Sequence, residues 1–149
     1  MKSFEKTLEV RWSDCDPNRH VTHSKYYDYG AHCRVSFFIE SGFNSEKMAE
    51  LQIGPILFKE ECTFIKELKI QDTVRVNILK GEISEDGGRW TVHHEIFNQN
   101  GDKCAHITAK GAWMNLELRK LTLPPAELTA AFQSLPSGEY YEYKSKKLG

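Results

Sequence analysis

The stretch from Arg11 to Gly42 constrains the fold of this chain more than any other part of the sequence. It reads as the end of a strand, a polar loop over 13–23 and a helix over 25–41, which Gly42 ends because glycine accepts the left-handed conformation. The apolar residues of this helix form two neighbouring stripes: Tyr26, Tyr29, Cys33 and Phe37, and Tyr27, Ala31, Val35 and Phe38. Stripes that wide predict a helix buried on most of its circumference. Gly30, a poor helix former, predicts the close approach of a sheet.

The rest of the chain alternates between apolar and polar residues as β-strands do. A weak run over 4–12 precedes the loop, and four longer runs follow at 56–68, 72–83, 89–98 and 103–116. Turn-forming residues separate these runs, which predicts an antiparallel meander. Short helices are predicted at 44–51 and 126–133. The sum is an α+β fold in which about five antiparallel strands wrap around one long central helix.

Composition narrows the classes of protein to which the chain can belong. Its 149 residues suit one domain, and a formal net charge of −1 lacks the basic excess of a nucleic-acid-binding protein. No apolar run approaches the ~20 residues of a membrane span, and the N-terminus lacks the apolar segment of a secretory signal. We therefore expect a cytoplasmic protein with no membrane or nucleic-acid partner. Its four separated cysteines are expected to be thiols rather than disulfides.

The loop before the long helix collects the candidate catalytic groups. Asp14, Asp16, His20 and His23 lie within ten residues of one another. The start of a helix offers unpaired backbone N–H groups and the positive end of the helix dipole. A carboxylate beside such donors can attack, or activate water to attack, a polarised carbonyl, which predicts acyl hydrolysis. A second interpretation of Asp16 stays open, namely an Asx turn or helix cap that holds the loop through local hydrogen bonds.

A zinc site is an alternative for the same stretch, because Cys15, His20, His23, His32 and Cys33 are all potential ligands. Their spacing matches none of the usual zinc motifs, and the helix directs His32 and Cys33 to different sides. We therefore expect no metal. Cys15 is not expected to act as a nucleophile either, because the carboxylates that flank it disfavour its thiolate.

The stretch resembles the motif of the hotdog-fold acyl-CoA thioesterases, in particular the hydroxybenzoyl-CoA thioesterase type. That motif reads roughly D-x-D-x-x-G-H-V-N-N-x-x-Y, with an arginine further along the helix. The matching positions here are Asp14, Asp16, His20, Val21, Thr22, His23, Tyr26 and Arg34. The resemblance covers 4–116. It implies one hotdog domain, which we place over residues 1–135, and the polar composition from Pro136 onward predicts a tail over 136–149.

The resemblance also implies a chemistry. Asp16 would act as nucleophile or general base, His20 would share its pocket, and the N–H groups near His23 and Ser24 would polarise the thioester carbonyl. The implied substrate-binding residues are Arg19, His23, Ser24 and Tyr26. The substrate would be an acyl-CoA, with no cofactor, in a homodimer or tetramer whose sites lie between subunits. A free sheet edge gives a further reason for a dimer, since pairing two edges removes the exposed strand.

Departures from the family pattern leave other functions open. Arg19 stands where the family has glycine, Thr22 and His23 where it has two asparagines, and His32 where many relatives have a glutamate. One expected consequence is a loop conformation that differs from that of the family. A second is a contact between Arg19 and the substrate or its phosphates. The alternatives are a non-catalytic acyl-CoA or acyl-carrier binding module and a hotdog dehydratase. The Asp-His pair that dehydration usually needs is not found at the matching part of the helix.

The polar tail and the strand histidines are less informative. Beyond Pro136 the tail carries Tyr140, Tyr141 and Tyr143 followed by lysines, which predicts either docking on a neighbouring subunit or a frayed terminus. The histidines of the predicted strands are expected to be solvated or core side chains: His93, His94 and His106.

Overall fold

The computed structural model of the chain describes residues 3–142. Within them, seven strands form one antiparallel sheet: β1 (Glu5–Glu9), β2 (Ile53–Phe64), β3 (Thr73–Asn77), β4 (Leu79–Ile83), β5 (Arg89–Phe97), β6 (Lys103–Asn115) and β7 (Lys120–Thr122). The same residues form three α-helices: α1 (His23–Glu40), α2 (Ser45–Leu51) and α3 (Ala126–Gln133). No helix of this part of the chain is long and apolar enough to cross a bilayer. The α+β arrangement agrees with the prediction, but the sheet has seven strands instead of about five.

The two additional strands have different origins. The predicted strand over 72–83 is divided into β3 and β4 at Ile78, whose N–H donates to the carbonyl of Phe4. Both halves pair with β5, β3 at its end near Phe97 and β4 further back between Trp90 and His93, and only β3 also pairs with β1. β7 is a strand of three residues that folds back on β6. It is too short for the alternation of apolar and polar residues to reveal it.

The order of the strands corrects the predicted meander. The sheet runs β1-β3-β5-β6-β2, with β4 beside β5 and β7 beside β6. β2 therefore lies at an edge and pairs with β6 rather than with β3. Consecutive strands are neighbours in only about two-thirds of cases. Here the segment over 65–72 crosses the start of α1, where the Val21 N–H donates to the Leu68 carbonyl.

Helix α1 ends as the sequence predicts. Gly42 has a φ of 93°, and the N–H groups of Gly42 and Phe43 donate to the carbonyls of Ile39 and Phe38. This pair of bonds is a Schellman motif. Burial is narrower than predicted, because Val35 and Ile39 are half exposed on the side away from the sheet.

Gly30 lies where α1 comes closest to the sheet. A methyl group at this position would lie 3.1 Å from His94 Cδ2 and 3.2 Å from Ile107 Cδ1. Ile107 belongs to the face of β6 that also carries Ala105 and Ala109, and all three are fully buried. The close approach predicted from Gly30 is therefore confirmed.

Edge strand β2 contains a bulge that the alternation does not reveal. Its pairing with β6 shifts between Leu57 and Lys59, which leaves Phe58 out of register. The simple alternation places Phe58 on the face of Cys62 and Phe64, but its side chain is 53% exposed. A bulge moves the following residues to the opposite face, so the two halves of β2 alternate out of phase.

Residues 136–142, called the C-terminal segment below, are attached to β4. The Lys80 N–H donates to the Pro136 carbonyl, and the Gly138 N–H donates to the Lys80 carbonyl, each at 2.8 Å. This part of the predicted tail is therefore held on the sheet and is not frayed. Tyr143 and the lysines after it lie outside the described residues.

The C-terminal segment lies over part of the sheet face opposite to α1. His94 faces Gly30 on the inner side, so by strand alternation His93 faces outward. The Tyr140 ring lies edge-on to His93, and the Tyr141 ring stacks on His106. The three histidines are buried rather than solvated, two under the C-terminal segment and one under α1.

Candidate active site

The loop between β1 and α1 folds back on itself in a tight turn. The Arg19 N–H donates to the Asp16 carbonyl and the Asp16 N–H donates to the His20 carbonyl, each at 3.0 Å. Cys15 and Val21 then form an isolated antiparallel bridge. The loop is thus a small hairpin that returns the chain to the start of α1.

Arg19 occupies the position of the hairpin with the most demanding backbone conformation. Its φ is 69°, in the left-handed region that glycine adopts without steric cost. Glycine is also the residue of the family motif at this position. The conformation suited to glycine is therefore present although the residue is an arginine.

The Asp16 carboxylate uses its two oxygens differently. Oδ1 accepts a hydrogen bond from the Asn18 N–H at 2.8 Å, which is the Asx turn considered from the sequence. Oδ2 lies 3.9 Å from His20 Nδ1, which is also 3.2 Å from the Val21 carbonyl oxygen. Because the side chain is 25% exposed, the carboxylate is also open to a ligand.

Asp14 is the buried carboxylate of the same loop. It accepts hydrogen bonds from the Arg11 N–H (3.1 Å), the Arg11 guanidinium (3.2 Å) and the Tyr29 hydroxyl (3.0 Å). Burial raises the pKa of Asp14, but these hydrogen bonds outweigh it and the net shift is downward. Asp14 therefore joins β1, the loop and α1 as an ionised carboxylate that holds the loop in place.

Asp16 and His20 open onto a cavity of about 310 Å³ beside the first turn of α1. The cavity is lined by Asp16, His20, Val21, His23, Tyr26, Phe64, Ile65, Lys66 and Glu67. Thr22 is the N-cap of α1, and its hydroxyl makes no cap hydrogen bond within the described helix. The first N–H groups of α1, at His23 and Ser24, can therefore donate to a ligand, favoured by the helix dipole.

One wall of this cavity is apolar, and a cation lies on its rim. The rings of Tyr26 and Phe64 meet edge to face with centroids 5.0 Å apart. Burial raises the pKa of Tyr26 to about 12, so its hydroxyl is neutral at physiological pH. Lys66 pairs with Asp102 at 2.7 Å and remains exposed. The rings offer an uncharged surface in a cavity whose other lining residues include Asp16, His20 and Lys66.

The structure separates the predicted site residues into groups. Those that line the cavity are Asp16, His20, His23 and Tyr26. The Ser24 side chain is exposed and does not line it, and Arg19 lines a second cleft that it shares with Asp16. Sequence reasoning missed the part of the wall that follows β2: Phe64, Ile65, Lys66 and Glu67. No local pattern identifies these residues, because the crossover from β2 to β3 brings them there.

Arg34, the helix arginine of the motif, lies deeper, between α1 and the sheet. Its Nη1 is 2.9 Å from His94 Nε2, and its Nη2 is 3.9 Å from the Glu60 carboxylate. Burial, with help from Arg34, lowers the pKa of His94 to about 3. His94 is therefore neutral, and it carries its proton on Nδ1, 2.8 Å from the Asn77 carbonyl oxygen. Arg34 supports the packing of α1 and does not line the cavity.

The remaining potential metal ligands are dispersed. Among residues 3–142, no group of three His, Cys, Asp or Glu side chains is placed to hold a metal ion. His32 lies on the exposed side of α1 and lines a separate cavity of about 420 Å³ with Asp28. The cysteines are free thiols: Cys33 and Cys104 are buried, and Cys15 and Cys62 are partly buried.

An antiparallel sheet packed on one long helix, with a carboxylate-bearing loop at the start of that helix, defines a hotdog-type protein. The sequence model of the thioesterase-like superfamily matches residues 10–132, which is most of the chain. The chain therefore belongs to the thioesterase-like superfamily. The resemblance drawn from the motif is confirmed, and the family supports the prediction of a thioester hydrolase. No curated protein sequence matches the chain.

Solved structures of the same fold cover nearly the whole chain. A hypothetical protein from Staphylococcus aureus, solved in complex with CoA, has a TM-score of 0.85 at 16% identity over 99% of this chain and 95% of its own. A 1,4-dihydroxy-2-naphthoyl-CoA thioesterase from Synechocystis has a TM-score of 0.79 at 16% identity over 90% and 98%. A gentisyl-coenzyme A thioesterase has a TM-score of 0.77 at 22% identity over 86% and 98%. At these identities the likeness shows the fold alone.

Proposed function

We propose that the chain is an acyl-CoA thioesterase whose reaction takes place in the cavity of about 310 Å³ at the start of α1. One observation carries this proposal: the Asp16 carboxylate, His20 and the first turn of α1 border the same cavity. A thioester is already an activated acyl group. Its hydrolysis needs a group that attacks or activates water, and donors for the oxygen that becomes negative.

Each of these needs has a candidate group. The carbonyl oxygen of the thioester would accept hydrogen bonds from the N–H groups of His23 and Ser24, and such donors contribute about 3–4 kcal/mol to lowering a barrier. Asp16 would take a proton from water, whose oxygen attacks the carbonyl carbon, and the C–S bond then breaks to release CoA as its thiol. Alternatively, Asp16 would attack the carbon itself, and water would then hydrolyse the resulting anhydride. In H₂¹⁸O under single-turnover conditions, water that attacks the aspartyl carbonyl of the anhydride leaves ¹⁸O in Asp16, so a labelled Asp16 establishes the second route.

The proposed substrate class follows from the cavity walls and the relatives. The rings of Tyr26 and Phe64 offer an apolar surface to the acyl group. The solved structures of the same fold include a complex with CoA and thioesterases that act on aromatic acyl-CoA compounds. We place the enzyme in the cytoplasm, with no resident cofactor.

We also propose a homodimer or a tetramer of dimers, because within residues 3–142 no strand pairs with the outer side of β2 and one edge of the sheet is free. This edge carries three large apolar side chains that are about half exposed: Leu57, Phe58 and Phe64. Pairing with a second copy would cover both the backbone groups and these side chains.

The test is release of free thiol from a panel of short, long and aromatic acyl-CoA compounds. We expect Asp16→Asn to lower kcat by about 10²–10⁴-fold, because the amide cannot act as base or nucleophile. Asparagine keeps an oxygen for the Asn18 N–H, so the turn and the fold are retained. Asp28→Asn removes an exposed carboxylate of α1 outside the cavity and is the matched control. Equal turnover in Asp16→Asn and the native enzyme would remove the proposal.

A second candidate is a non-catalytic binding module for acyl-CoA or acyl-carrier ligands. The observation in its favour is the hydrogen bond from Asn18 to Asp16, which gives the carboxylate a structural role. This module would bind acyl-CoA in calorimetry and release no thiol from any member of the panel. Tight binding together with turnover excludes it.

A further inference from the structure

A second cleft lies beside the loop hairpin. It has a volume of about 470 Å³ and is lined by Trp12, Cys15, Asp16, Pro17, Arg19 and Ile70. Trp12 is 81% exposed, the most exposed large apolar side chain among the described residues. An indole that remains in water beside an apolar cleft is typical of a surface that a ligand or partner covers.

Arg19 supplies the positive charge of this cleft. Within residues 3–142 it makes no ion pair, so its guanidinium is available to an anion. The backbone holds it in the left-handed region, where an arginine is strained and a glycine is not. Strained residues of this kind cluster at functional sites.

We propose that this cleft binds the adenine nucleotide end of the CoA substrate, with the adenine stacked on the Trp12 indole and a phosphate bound by Arg19. This inference rests on the proposed thioesterase function. Asp16 lines both this cleft and the cavity of about 310 Å³. One ligand can therefore occupy both, with its thioester on one side of the loop and its nucleotide on the other.

The chemistry of the cleft matches the nucleotide better than the acyl group. An exposed aromatic ring stacks on a base while leaving its polar edges in water, and a guanidinium binds phosphate through two parallel hydrogen bonds. The acyl group has a separate apolar surface available at Tyr26, whose ring is buried, and Phe64.

The carboxylate and thiol in the cleft do not prevent binding of an anion. Asp16 directs Oδ1 to the Asn18 N–H and Oδ2 towards His20. Burial and the neighbouring Asp14 and Asp16 raise the pKa of the Cys15 thiol, so that it adds no negative charge.

The kinetic test compares two substrates that share one acyl group, an acyl-CoA and the corresponding acyl-pantetheine, which lacks the nucleotide. For Trp12→Ala and for Arg19→Gly we expect the KM for acyl-CoA to rise roughly tenfold, with kcat unchanged. The kcat/KM for acyl-pantetheine should stay at the native value. Glycine at residue 19 suits the φ of 69°, so the hairpin is retained while the charge is lost.

Arg119→Gly is the matched control. Arg119 also has a positive φ, 55°, and it lies in the turn between β6 and β7, outside both cavities. This variant loses the same charge from the same backbone conformation. It should leave the KM for both substrates unchanged.

A binding measurement keeps the inference testable without turnover. Titration calorimetry with CoA and with pantetheine compares the two variants with the native protein. Trp12→Ala and Arg19→Gly should bind CoA more weakly and should bind pantetheine with the native affinity. If no thioester is hydrolysed but this pattern holds, the thioesterase proposal fails and the nucleotide site stands. Native CoA affinity in both variants would overturn the site.

The rival occupant of the cleft is a second copy of the chain. In that case Trp12→Ala would lower the oligomeric state in light scattering and would impair acyl-CoA and acyl-pantetheine equally. Either result would overturn the nucleotide assignment.

Discussion

Two aspartates two residues apart have opposite environments in this loop. Asp14 is buried and receives three hydrogen bonds, whereas Asp16 is partly exposed and receives one, from Asn18. The first arrangement fixes the conformation of the loop. The second leaves one carboxylate oxygen available for chemistry, which is why we assign the proposed catalytic role to Asp16 and a positioning role to Asp14.

The positioning role of Asp14 depends on Tyr29. Tyr29→Phe keeps the ring but removes the hydrogen bond to a buried, ionised carboxylate. We expect the free energy of unfolding to fall by about 1.5–3 kcal/mol, the usual range for a hydrogen bond to a charged group. Urea denaturation at pH 7 measures the change.

A double-mutant cycle provides the control for this prediction. In the Asp14→Asn background the charged acceptor is already absent, so Tyr29→Phe should cost clearly less than it does in the native chain. Equal costs in both backgrounds would show that the Tyr29 hydroxyl does not act through Asp14.

At the scale of elements, the cavity is assembled from pieces far apart in sequence. The loop and the first turn of α1 supply Asp16, His20 and the backbone donors, while the end of β2 supplies Phe64 and the residues after it. In the part of the chain that the structure describes, the outer edge of β2 is unpaired. One strand therefore contributes both to the proposed site and to the proposed dimer contact.

The free edge of β2 makes the oligomeric state testable. Leu57, next to the bulge, is 46% exposed, and Leu57→Lys would place a charge in the interface of a dimer formed through this edge. We expect the dissociation constant of the dimer to rise at least about tenfold, because burying an unpaired charge is costly. Light scattering after size exclusion measures it.

Leu118→Lys is the control for the edge. Leu118 is as apolar and more exposed, but it lies in the turn after β6, away from the free edge of β2. It should leave the dimer intact. A native chain that elutes as a monomer at micromolar concentration would contradict the dimer itself.

At the scale of the whole molecule, elements from different parts of the chain pack on the two faces of the sheet. Helix α1 packs on the inner face, and the C-terminal segment lies over His93 and His106 on the outer face. His106 Nε2 is 3.4 Å from His93 Nδ1, which also contacts the Thr108 hydroxyl at 2.9 Å. Two imidazoles facing each other in this way cannot both be protonated without placing two N–H donors against one another.

This arrangement predicts that the C-terminal segment detaches in acid. Burial, with Lys103, lowers the pKa of His106 to about 4, and burial also lowers the pKa of His93. The pKa of each histidine moves back towards its ordinary value of 6.5 when the segment uncovers it, so the uncovered state binds more protons. The stabilisation is therefore complete above pH 6.5 and is lost as the pH falls towards 4. The other groups that face the pair are Glu95, Lys110, Tyr140 and Tyr141.

Hydrogen exchange at the Gly138 amide, which donates to Lys80, measures this detachment. After correction for the intrinsic exchange rate, we expect protection at pH 5 to be about tenfold lower than at pH 7.5. His106→Asn should flatten the pH dependence, whereas His32→Asn, an exposed position on α1, should leave it unchanged. A slope that persists in His106→Asn would show that another group controls the segment.

Local features of this protein could be predicted from the sequence because their causes lie within a few residues. The long helix and its end at Gly42 follow from apolar spacing and from the left-handed preference of glycine. The loop that carries Asp16 follows from a motif of short spacing. Gly30 predicted a close contact between α1 and the sheet. The sequence did not identify His94 and Ile107 as the residues that make this contact.

Strand order, the bulge at Phe58 and the wall formed by Phe64 and Lys66 came only with the tertiary structure. Alternation tells which side chains of one strand share a face, but it carries no information on which strand lies next to it. The same holds for Trp12 and Ile70, which line one cleft although they lie 58 positions apart in the sequence. Side chains that meet only after the chain has crossed itself leave no periodic signal, so their proximity is decided by packing.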